Sequence, residues 1–148
     1  MAWKPHVTVG IIYERQHQFL MVEEKVNGEI RFNQPAGHLE DRESLVDAAV
    51  RECMEETARE FTPQALVGLY RWRNPDRDQT FLRATFCGLC SERKQGQLLD
   101  PDITETHWMT LEDIQALGGK LRSPLVLRSI NDYLAGCRYP LELLVNVI

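Results

Sequence analysis

The chain has no apolar run long enough to cross a bilayer, and its first residues, MAWKPHVTVG, lack a signal-peptide pattern. A cytoplasmic protein with no membrane partner is the expectation. Positive charge is also in deficit. The formal net charge of −5 argues against a generic basic surface for nucleic acid. It leaves room for a phosphorylated small molecule, because a bound cation inverts the local field. Cysteines are few (Cys53, Cys87, Cys90 and Cys137), and no second CxxC or histidine pair completes a zinc-ligand spacing. Cys87 and Cys90 lie in ATFCGLC, which has the composition of a strand, so four reduced thiols are expected. Repeats, low-complexity tracts and linkers are missing as well. What remains is 148 residues, 43% hydrophobic and 26% charged, ordinary values for one globular domain spanning 1–148. A monomer is favoured, with a dimer as the alternative.

HVTVGIIYE and QFLMVEEKV are β-rich runs separated by a polar break, which predicts an antiparallel pair. Pro35 and Gly37 are expected to end regular structure in RFNQPAG. Ser44 with Asp47 three residues on predicts a helix start at Leu45. QALVGLYRWR and TFLRATFCGLC read as two strands joined by a turn in RNPDRDQ. After a polar loop come a short strand around THWMT, a short helix LEDIQAL, and a last helix beginning at Ser123-Pro124 and ending at Gly136. One α/β domain follows.

The first helix carries Glu52, Glu55 and Glu56 within little more than one turn. At a helical period, Val46, Val50, Cys53 and Thr57 form the expected core stripe, with Asp47, Arg51 and Met54 opposite. The glutamates then straddle the border between core and solvent. Ala48 and Ala49 share the side of Glu52 and leave room for a close approach. Like charges at this spacing cost a few tenths of a kcal/mol per pair on an open helix, and more when half-buried, unless a cation lies among them. Oxygen ligands without histidine or thiolate suit Mg²⁺ or Mn²⁺. A plain acidic surface helix is the competing reading, and the spacing of an EF-hand loop is absent.

Gly37, Glu43, Arg51, Glu52, Cys53, Glu55 and Glu56 fit the pattern G-x5-E-x7-R-E-U-x-E-E-x-G-U in register. The stretch therefore resembles the Nudix box of the Nudix hydrolases. Ala58 stands where that pattern has glycine and Arg59 where it has an aliphatic residue; the helix is expected to run on through both. NQPAGHLE and the closing LRSPLVLRSINDYLAGCRYPLELL are similar to the NudJ-type subgroup of bacterial Nudix phosphatases. The resemblance implies an α/β/α sandwich with a mixed sheet and Mg²⁺-dependent hydrolysis of a diphosphate. For the subgroup it implies nucleoside di- and triphosphates with orthophosphate as product, together with thiamine pyrophosphate and its hydroxymethylpyrimidine pyrophosphate precursor. Dinucleotide, coenzyme or nucleotide-sugar hydrolysis is the alternative, as is a ligand-sensing module without turnover.

Carried over by position, Glu52, Glu55, Glu56 and the Gly37 carbonyl are the implied metal ligands. Glu52 is the candidate base, with Asp100, Asp102 and Glu105 open for that role. Glu43 and Arg51 are the implied ion pair that fixes loop to helix. His38, Tyr70, Arg71 and Trp72 are candidates for substrate contact, the two aromatics by stacking on a base. Arg73, His6 and Lys4 are undecided between substrate and solvent.

Overall fold

Among residues 2–147, which the computed structural model describes, eight strands form two sheets. The strands are β1 (His6–Ile12), β2 (Glu14–Arg15), β3 (Gln18–Val26), β4 (Glu29–Asn33), β5 (Ala36–His38), β6 (Phe61–Asn74), β7 (Gln79–Cys90) and β8 (Ile103–Met109). The helices are α1 (Leu45–Thr57), α2 (Leu111–Leu117) and α3 (Leu125–Leu134). The first sheet runs β5-β1-β7-β6 and is mixed, since β1 lies parallel to β7 while its other pairs are antiparallel. In the second sheet β3 pairs antiparallel with β2, β4 and β8. No helix among the described residues is long and apolar enough to cross a membrane.

Alternation along β1 and β7 sends side chains to two different cores. Val9, Ile11, Ala84 and Phe86 face α1, meeting Ala48, Ala49 and Cys53. Ile12 and Cys87 belong to the opposite core with Phe19, Met21, Ile114, Val126 and Ile130. The first sheet is therefore covered on both faces, by α1 on one and by α3 with the second sheet on the other.

Three sequence expectations are corrected here. Of the first two predicted strands, only the end of HVTVGIIYE pairs with QFLMVEEKV: β1 enters the mixed sheet, and the two-residue β2 forms the hairpin with β3. The chain changes sheet because β1 carries apolar residues on both faces, which only an interior strand can bury. Regular structure does not end at Pro35 and Gly37. Ile11 N–H donates to the Pro35 carbonyl at 2.9 Å, and Ala36–His38 then add β5 to the edge of β1. The core stripe of α1 is rotated from Val46 and Val50, which are half-buried, onto Ala48, Ala49, Cys53 and Thr57. Two alanines let the sheet approach the helix more closely than two valines would.

Candidate active site

α1 begins where Ser44 Oγ accepts the Asp47 N–H at 3.0 Å, supplying one of the free amides of the first turn. From this start the helix lays Glu52 and Glu56 against the edge strand β5. Glu52 is 8% exposed and Glu56 7%. Glu56 Oε1 accepts the Ala36 N–H at 2.9 Å. Gly37 beside it is half-buried, and a Cβ built there would sit on the Glu52 carboxyl group. A glycine is required at this place by contact, whatever its backbone angles.

Arg51 organises the outer side. Its guanidinium grips Glu43 through Nε at 3.0 Å and Nη2 at 2.7 Å, a two-point pairing of fork and carboxylate. The same side chain donates to the His38 carbonyl at 3.0 Å, to Glu52 at 2.8 Å and to Glu55 at 3.2 Å. Glu43 in turn accepts the Glu40 N–H at 2.8 Å, so the loop before α1 is tied to the helix. Arg51 is thus not turned to solvent, as its position on the helical wheel had implied. It joins three of the acidic groups of the motif.

These residues border a cleft of about 700 Å³. Glu52, Glu56, Gly37 and His38 line it, as do Asp100 and Trp72. Burial raises the Glu52 carboxyl to about 7, against the opposing pull of Arg51. Burial raises Glu56 well above the ordinary carboxylate range, against the hydrogen bond from the Ala36 N–H and helped by the charges of Glu24 and Glu52. His38 is shifted down, first by burial and then by His6, Arg83 and Arg122. Two nearly buried carboxylates beside a glycine form an oxygen-only donor set. That chemistry fits a hard divalent cation.

The structure does not bring every candidate to the cleft. The Glu55 side chain is 43% exposed and turned to Arg51. Tyr70 leans over Gly68, where a Cβ would meet its ring, and its hydroxyl donates to Asp132 of α3 at 2.7 Å. Arg71 is exposed and outside the cleft. Asp100 lines the cleft, and its N–H donates to the Glu55 carbonyl at 2.8 Å. Asp102 does not line it. Glu105 lies instead with Glu23 and His107 on β3 and β8, with ligand atoms within 4.8 Å of one another. That group has the donor types of a metal site, but it is separate from the carboxylates of α1.

Sequence reasoning missed Glu24, Phe81, Arg83 and Arg122, all of which line the cleft. A signal existed for one of them. Arg83 is a charge placed inside the otherwise apolar strand run TFLRATFC, where alternation alone would have buried it.

The fold and this site define a Nudix hydrolase, and the chain belongs to that family: the NUDIX domain model matches residues 4–129. It is 44% identical over 142 residues to the phosphatase NudJ of Escherichia coli K12, covering 96% of this chain and 92% of the relative. A NUDIX hydrolase from Nitrosomonas europaea superposes with a TM-score of 0.95 at 41% identity, covering 97% of this chain and 98% of the other. The E. coli ORF135 protein, 21% identical with a TM-score of 0.70 over 89% and 90% of the two chains, shares the fold.

Proposed function

We propose that this chain, acting as one cytoplasmic domain, is a Mg²⁺-dependent phosphohydrolase of nucleoside di- and triphosphates that releases orthophosphate. Thiamine pyrophosphate and its hydroxymethylpyrimidine pyrophosphate precursor are further substrates on this reading. The observation that carries it is the pair of half-sealed carboxylates, Glu52 and Glu56, opening beside Gly37 onto one cleft. The likeness to a relative named as a phosphatase, over nearly the whole length of both chains, supports orthophosphate as product.

Glu52, Glu56 and the Gly37 carbonyl would hold the cation, with Glu55 as a further ligand once it leaves Arg51. Mg²⁺ or Mn²⁺ bound there supplies polarisation of the phosphoryl oxygens. Glu52 takes the proton of the attacking water, being the central carboxylate of the group. The Ala36 N–H fixes one oxygen of Glu56, and Arg51 holds Glu52 from the solvent side. Glu43 keeps Arg51 in place and stays outside the chemistry. Trp72 and Phe81 stack on each other with centroids 5.6 Å apart and line the cleft, a shelf for a flat base or pyrimidine ring. His38 also lines the cleft, its ring edge-on to that of His6 with centroids 5.6 Å apart.

The test is release of orthophosphate from ADP, ATP, thiamine pyrophosphate and hydroxymethylpyrimidine pyrophosphate, followed with Mg²⁺ and with chelator. Phosphorus NMR without added pyrophosphatase identifies the direct product. A strict requirement for dinucleoside polyphosphates, yielding two nucleotides, would replace this reading with the alternative one.

A further inference from the structure

A cation sealed inside a protein usually pairs with an anion, and among the described residues one guanidinium at this cleft has no carboxylate at ion-pair distance. Arg83 of β7 is 7% exposed and stands next to Thr8 of β1 in the parallel register. Its Nε donates to Thr8 Oγ1 at 3.1 Å, while its buried Nη1 has no acceptor among the described residues. The nearby carboxylates are engaged elsewhere. Glu24 accepts from Arg122 at 2.7 Å, and Glu56 accepts the Ala36 N–H. Burial, and then the charge of Arg122, lowers the Arg83 guanidinium to about 10, which still leaves it protonated at neutral pH.

Its place in the sheet gives this charge a direction. Trp72 pairs with Phe81 across β6 and β7, and both rings line the cleft. Arg83 is the next residue on that face of β7, two positions and about 7 Å further along the strand. A guanidinium in such a low-dielectric setting binds a phosphoryl oxygen more strongly than one in water.

We infer that Arg83 is an anion-binding residue of the cleft, its guanidinium donating to a non-bridging phosphoryl oxygen of a substrate whose ring lies on Trp72 and Phe81. The inference rests on the reading of the substrate as a phosphoanhydride. The competing role is a fixed counter-charge for Glu24 and Glu56, which requires no ligand.

Arg83→Met, which keeps the length without the charge, and Arg83→Lys separate the two. For ADP hydrolysis with Mg²⁺, the Met variant should raise KM at least tenfold, and the Lys variant should recover part of that loss. Without ligand, the Tm of the Met variant should equal or exceed that of the wild type, since an unpaired buried charge is removed. The Tm gain that millimolar inorganic pyrophosphate gives the wild type in Mg²⁺ should be at least halved. An unchanged KM with an undiminished gain from pyrophosphate overturns the inference, and so does a wild type with no such gain. A drop in unliganded Tm with KM unchanged in the Lys variant assigns Arg83 to the counter-charge role. If the wild type releases no phosphate from any nucleotide but its pyrophosphate gain still depends on Arg83, the proposed reaction fails and the anion site stands.

Discussion

The carboxyl group of Glu52 occupies the space that a side chain on Gly37 would need. The two residues lie on different elements, and their approach sets how far the carboxylate reaches into the cleft. Gly37→Ala should displace Glu52, and a misplacement near 1 Å costs on the order of 10²-fold in rate. Overpacking at this buried edge should also destabilise by roughly 1–3 kcal/mol. Kinetics of orthophosphate release beside a thermal melt will check both. A normal kcat would disconnect the glycine from catalysis.

Glu56→Gln and Glu52→Gln should affect rate and stability in opposite directions. Each removes a charge that burial disfavours while keeping an oxygen that accepts a hydrogen bond. On the proposed reading, in which these groups hold the cation and take the proton, kcat should fall by about 10²-fold or more. In chelator, both variants should melt at or above the wild-type temperature. A clear fall in melting temperature for Glu56→Gln would show instead that its bond to the Ala36 N–H anchors the fold as a charged group.

The same carboxylates predict a pH dependence. Burial holds Glu52 at about 7, above the 4.5 of an unhindered glutamate, and Glu56 is raised in the same direction. A raised acid binds its proton more tightly in the folded protein than in the unfolded chain. Its stabilising contribution is complete below about 4.5 and is lost as pH rises through about 7. Without metal, the melting-temperature difference between Glu52→Gln and wild type should therefore be small near pH 4.5 and grow in favour of the variant toward pH 8. A gap that stays constant would mean that Arg51 compensates for burial at every pH.

Much of this site was legible because its residues are close in sequence. Gly37, Glu43, Arg51, Glu52 and Glu56 lie within one strand, loop and helix that follow one another in the chain, and the family pattern they fill groups them. Both long strands of the β6–β7 hairpin and the last two helices follow from local patterning in the same way. The opposite wall of the cleft was legible at most in Arg83, the lone charge of its strand run. Glu24, Phe81, Arg83 and Arg122 come from β3, β7 and the segment before α3, and only the parallel pairing of β1 with β7 and the second sheet gather them. Tyr70 shows the same limit from the other side. Its strand position matches that of Trp72 in facing, but the missing side chain at Gly68 lets it lie toward Asp132.

The end of α1 differs from the sequence expectation, and the difference can be tested. Ala-Arg-Glu are good helix formers, so continuation through Ala58 and Arg59 was expected. Instead α1 stops at Thr57, and Ala58 adopts the left-handed conformation with φ 58° and ψ 30°. Long-range bonds impose the stop. The Lys94 N–H donates to the Ala58 carbonyl at 2.8 Å, and Ser91 Oγ accepts the Glu60 N–H at 2.8 Å. The chain then has only three residues to turn before Phe61 opens β6. A left-handed residue with a Cβ costs roughly 1–2 kcal/mol, which glycine avoids. Against that, the Ala58 methyl is fully buried, and a lost buried carbon costs about 0.8 kcal/mol. The strain term is the larger, so Ala58→Gly should stabilise the fold by up to about 1 kcal/mol. Activity should be unchanged, because Glu52 and Glu56 precede the turn and keep their contacts with Gly37 and Ala36. Denaturation midpoints of the two proteins decide the matter. A lower midpoint for the glycine variant would show that packing of one methyl outweighs the backbone strain at this cap.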